Sequence, residues 1–151
     1  MGAVVLSCLV LSGCGGPVRI DAPALSGADA DACARLLEGL PEHVADLGRT
    51  ESDAGKGYAA AWGDPPIELR CGVGRPKGFS KVAACQRVNG VDWFIPESQV
   101  TGQKREIVMT TVGRAQNVEV RIPDDYFPPA ATMADLAPAV RTTIREVRPC
   151  V

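Results

Sequence analysis

One cysteine near the start of the chain carries the clearest chemistry. An apolar run from Ala3 to Leu11 ends in Leu11-Ser12-Gly13-Cys14, the residue order of a bacterial lipobox. Small side chains ahead of the cysteine admit a lipoprotein signal peptidase, and the Cys14 thiol then carries a diacylglycerol that holds the mature chain on a membrane. The run is too short for the roughly 20 apolar residues that cross a hydrocarbon core as a helix, and it suits the h-region of a signal peptide. No Lys or Arg precedes it, although export signals carry a positive n-region; the expectation is a start upstream of Met1. The expected organisation is a signal peptide over residues 1–13, a lipidated cysteine and flexible tether over 14–26, and one globular extracytoplasmic domain over 27–151.

The remaining thiols fit that compartment. Cys8 leaves with the signal, so Cys33, Cys71, Cys85 and Cys150 stay, an even number in an oxidising setting. Two disulfides are expected, and of the three connectivities Cys71–Cys85 with Cys33–Cys150 is favoured, joining neighbouring strands and stapling the two ends of the domain. No Cys-x-x-Cys pair occurs, so paired zinc ligands are not indicated. Neither a metal nor a cofactor is expected.

Other reactive residues give weaker patterns. His43 is the sole histidine and has no activated nucleophile beside it in sequence. Gly78-Phe79-Ser80-Lys81-Val82 begins like a nucleophile elbow and lacks the closing glycine. Asp124 and Asp125 follow Pro123 and read as turn residues. Arg75, Lys77 and Lys81, on the glycine-bearing stretch Gly72 to Lys81, form a candidate anion-binding loop for phosphate headgroups or anionic wall polymers. Trp62-Gly63-Asp64-Pro65-Pro66 reads as a core-edge tryptophan ahead of a stiff turn, with a recognition surface as the alternative.

The elements that must position these residues are legible from periodicity. Gly15 to Pro23 reads as tether, with order starting near Ser26 or Asp29. Leu36, Leu37 and Leu40 then give a first helix an apolar stripe, and Pro41 ends or kinks it. Leu47 to Lys56 reads as a surface loop. Ile67, Leu69 and Cys71 alternate with Glu68 and Arg70, and Val118, Val120 and Ile122 alternate with Glu119 and Arg121, the pattern of half-exposed antiparallel strands. Side by side, the two would pair opposite charges. Asn89-Gly90 between Val88 and Val91 signals a type I′ hairpin with Arg87 opposite Asp92. That register puts Cys85 on the Arg87 and Asp92 side, away from the face that Val91, Trp93 and Ile95 make apolar, and so opposes the favoured Cys71–Cys85 bridge. A strand from Ile107 to Val112 and a helix from Thr132 to Val147, opened by a Thr132/Asp135 capping box and interrupted or kinked at Pro138, complete the chain. The fold class is α+β: a single small domain, an antiparallel sheet of about four to six strands with an N-terminal and a C-terminal helix packed on one face.

A net charge of −2 gives no electrostatic footprint for nucleic acid, and 46% hydrophobic residues exclude a disordered chain. The segments Ala61 to Gly72, Val88 to Phe94 and Val118 to Pro123 resemble an uncharacterised actinobacterial family of exported proteins, a domain-of-unknown-function family. The resemblance runs from about Cys33 to Val147. It implies an envelope location in a high-GC Gram-positive bacterium and brings no activity, ligand or catalytic residue. The reading is therefore a membrane-tethered envelope lipoprotein on the outer face of the cell membrane. Its expected mode is non-catalytic binding of an envelope protein or anionic wall polymer; the alternative is an enzyme acting on cell-wall precursors through an unrecognised site.

Overall fold

The computed structural model describes residues 16–80, 82–101 and 105–150. Along these the elements run β1 (Val18–Arg19), α1 (Gly27–Gly39), β2 (His43–Val44), β3 (Leu47–Thr50), β4 (Ser52–Asp53), β5 (Ala59–Trp62) and β6 (Ile67–Val73). There follow β7 (Gln86–Val88), β8 (Val91–Phe94), α2 (Glu97–Val100), β9 (Ile107–Thr111), β10 (Asn117–Ile122), a 3-10 turn (Asp124–Tyr126) and α3 (Ala130–Thr143). An eight-stranded sheet has the order β2-β3-β5-β6-β10-β9-β8-β7, antiparallel at every described pairing. The α+β class holds, with more strands than the four to six expected.

The centre of the sheet follows the alternation in the sequence. Ile67, Leu69 and Cys71 of β6 and Val118, Val120 and Ile122 of β10 are wholly buried, and they join Leu36 of α1, Met133, Leu136 and Val140 of α3, and Trp62 and Trp93 in one core. On the opposite side Arg70 faces Glu119, and Arg121 faces Glu68. Arg70 and Glu119 close an ion pair at 2.7 Å. The Asn89-Gly90 turn forms as expected, with φ of 48° and 84° and Arg87 opposite Asp92.

Four expectations are corrected. The Leu47 to Lys56 stretch is not a loop, since it contains β3 and β4. Strand β3 is built by a second two-residue turn, Ala45-Asp46, with φ of 50° and 65°. Side chains pay a strain to enter that region, and here the Asp135 carboxylate of α3 accepts the Ala45 N–H at 2.8 Å. Residues from Val18 are not tether but part of the fold: β1 pairs in parallel with β4, and Ile20 is buried with Ala59 and Ala61 on the second face of β5. That packing makes both sides of β5 apolar, which is why its Ala-Ala-Ala-Trp run lacks alternation.

The C-terminal helix is the third correction. It starts at Ala130, so Thr132 is a buried interior residue and forms no capping box with Asp135; Pro129 holds the N-cap position without a side-chain cap. Pro138 sits inside the helix and removes the N–H that would reach Ala134; the Asn89 side-chain amide donates to that carbonyl instead, at 3.4 Å. The helix ends at Thr143 rather than Val147, because the following segment turns back to the β9–β10 connection. Val147 N and Arg148 N both donate to Gly113 O, and Ala115 N donates to Arg145 O.

The fourth concerns the disulfides. Two form, but as Cys33–Cys71 and Cys85–Cys150, in place of Cys71–Cys85 and Cys33–Cys150. Cys71 points into the core, where α1 brings Cys33, and both are fully buried. Cys85 precedes Arg87 on the other side of the hairpin, where the C-terminal segment arrives. With sequence separations of 38 and 65, each bridge is worth about 4 kcal/mol on the chain-entropy account.

Candidate functional site

The loop from 74 to 85, between β6 and β7, collects much of the chemistry that the sequence singled out. Its first half is organised by stacking. The Arg75 guanidinium lies 5.0 Å from the centroid of the Phe79 ring, a cation–π distance, and Phe79 meets Phe94 of β8 edge-on at 5.3 Å. Lys77 is exposed. Lys81, the third cation of the expected anion-binding loop, lies outside the described residues, as does Cys14.

The second half of the loop is fixed by a polar bolt. Asp92 is 4% exposed, and its carboxylate accepts two hydrogen bonds from Arg87, at 2.9 and 3.0 Å, and one from Cys150 N at 2.9 Å. The Cys85–Cys150 bridge closes over this contact. Next to it, Arg114 is buried and donates to Ile144 O at the end of α3 and to Gly90 O in the hairpin turn. Burial lowers its pKa from the ordinary arginine value, with Glu146 at 3.6 Å opposing the shift. Cations at a helix C-terminus offset the negative end of its dipole, so Arg114 ties helix, hairpin and C-terminal segment together.

Two clefts flank the loop. A groove of about 590 Å³ lies between Val82, Ala84, Phe94, Ile95, Glu97 and Val100, and Val82 is 92% exposed on its rim. A second cleft of about 380 Å³ lies between Arg75, Phe79, Val112, Arg148 and Pro149. The second cleft joins the loop to the far end of the chain and was not foreseen from sequence. The hairpin register, which put Cys85 beside Asp92 and away from Cys71, held the signal for it.

Other sequence candidates stand apart from these clefts. His43 is exposed on β2, opposite Gly48. Asp124 and Asp125 are exposed in the 3-10 turn, and Asp64 is exposed in the turn after Trp62. Trp62 itself is core: its indole N–H donates to Pro41 O at 3.0 Å, and Arg49 covers its ring at 5.2 Å. Ser80 lines the larger groove on the exposed part of the loop. Among the described residues no group of three or more His, Cys, Asp or Glu side chains is placed to hold a metal ion, and no helix is long and apolar enough to cross a membrane.

The two disulfides fit an oxidising, extracytoplasmic setting. No curated protein and no solved structure matches the chain. A family model described as "Protein of unknown function (DUF3515)" matches residues 3–149, which takes in the three segments that carried the resemblance, and the chain belongs to that family.

Proposed function

We propose that this protein is a cell-envelope lipoprotein, tethered through Cys14 to the outer face of an actinobacterial membrane, and that it acts as a non-catalytic binding module for an anionic wall polymer. In this reading the two long helices cover the apolar face of the sheet, and the working surface is the corner formed by the 74–85 loop. The observation that carries the reading is that corner's construction. A loop bearing Arg75 and Lys77 is stacked on Phe79 and stapled by the Cys85–Cys150 bridge, so its cations are presented from a fixed frame. Binding loops on rigid scaffolds lose less entropy on engagement.

The test is sedimentation of the oxidised protein with isolated cell walls. The expected result is retention that falls as salt rises, since exposed charges are screened within about 8 Å at physiological ionic strength, and that is lost in an Arg75→Glu/Lys77→Glu variant. Equal retention of the variant and the parent protein would overturn the reading.

A further inference from the structure

We propose that the cleft between the 74–85 loop and the C-terminal segment is a phosphate site, with Arg75 and Arg148 as its cations. The proposal rests on the anion-binding reading above and supplies the half of the site contributed by the other end of the chain. The cleft brings together two arginines and contains no Asp or Glu among its lining residues. Four other arginines close on carboxylates: Arg70 pairs with Glu119, Arg87 with Asp92, Arg114 with Glu146 and Arg121 with Glu106. Two arginines lining one cavity with no carboxylate among the described lining residues concentrate positive charge there, and a bound anion would offset it.

The Arg75 guanidinium and the Arg148 backbone are held in place before any ligand arrives. Arg75 is stacked on Phe79, which rests on Phe94. Arg148 is fixed through its backbone: its N–H donates to Gly113 O at 3.0 Å, its own carbonyl lies where a Gly113 side chain would be, and Cys150 is anchored by its disulfide. Guanidinium forks match the oxygen geometry of phosphate and bind it by two parallel hydrogen bonds. Phe79, Val112 and Pro149 give the cleft apolar walls, suited to the carbon skeleton of a phosphate ester. Lys77 stands outside the lining and would contribute only to steering.

Two probes separate the sources of such a phosphate: soluble glycerol 3-phosphate, and vesicles containing phosphatidylglycerol compared with phosphatidylcholine alone. Titrations use the oxidised full chain and the variants Arg75→Gln, Arg148→Gln and Lys56→Gln, the last at an exposed lysine outside the cleft, each accepted only with both disulfides intact and an unchanged unfolding transition. The expected result is binding that weakens at least tenfold in Arg75→Gln and in Arg148→Gln and stays within twofold in Lys56→Gln. Binding of glycerol 3-phosphate with that pattern assigns a soluble or polymer phosphate, and binding of vesicles alone with that pattern assigns a lipid headgroup. No binding to either probe, or equal weakening in all three variants, would overturn the site. Retention on cell walls with no effect of Arg148→Gln on either probe would leave the envelope-binding reading standing and remove the phosphate cleft.

Discussion

Asp92 accepts three hydrogen bonds while almost entirely buried, and two of them come from a guanidinium. Hydrogen bonds to charged groups contribute about 1.5–3 kcal/mol, and orphaning a buried partner costs more than the bond itself. Asp92→Asn, which turns one acceptor oxygen into a donor, is expected to lower stability by about 2–3 kcal/mol in urea unfolding; a change below about 0.5 kcal/mol would show that the bolt is not structural. Gly113 makes a different demand. Its φ is +75°, and a Cβ there would overlap the Arg148 carbonyl. Left-handed backbone costs an L residue about 1–2 kcal/mol, and displacement of the C-terminal segment adds to it. Gly113→Ala is therefore expected to cost at least about 2 kcal/mol and to raise amide exchange at Val147 and Arg148. Unaltered exchange there would contradict the close approach.

Elements defined by their own residues were legible in the sequence, and those defined by distant partners were not. Strands β6 and β10 and the Asn89-Gly90 hairpin announce themselves through alternation and turn chemistry, down to the opposition of Arg87 and Asp92. The β2–β3 hairpin does not, because Ala45-Asp46 is a poor type I′ pair that Asp135, 90 residues away, holds in place. Asp46→Gly is accordingly expected to stabilise the fold by about 0.5–1 kcal/mol, since glycine enters positive φ without strain; a loss of stability would mean that Asp46 makes a contribution beyond the turn. Residues 18–25 and 144–150 lack periodicity altogether and are ordered by what they lie on. The disulfide pairing escaped for the same reason, since it depends on where the C-terminal segment lands. Burial sets the two bridges apart: Cys33 and Cys71 are inaccessible, whereas Cys85 and Cys150 are partly exposed. Thiol–disulfide exchange needs access to sulfur. Graded dithiothreitol under native conditions, followed by alkylation and peptide mass mapping, should label Cys85 and Cys150 first; labelling of Cys33 and Cys71 first would contradict the core position of that bridge.

At the scale of the whole molecule, a sheet with one helix-bearing core presents a stapled, cation-bearing corner, and the proposed anchor precedes β1 by only a few residues. Val18 follows Cys14 closely, and the domain is docked from Val18 onward, so a lipid on Cys14 would keep the fold within about 14 Å of the headgroup plane at full extension of the intervening residues. Such a short reach favours ligands at the base of the wall over distant ones. The claim on which this account turns is that the folded domain is displayed outside the cell on a lipid. The most direct measurement is intact and non-reducing peptide mass spectrometry of the protein taken from the membrane fraction of an actinobacterial host. The account predicts a mature chain beginning at a diacylglyceryl-modified Cys14, with Cys33 joined to Cys71 and Cys85 joined to Cys150. An unlipidated chain in the cytosolic fraction with four free thiols would contradict it.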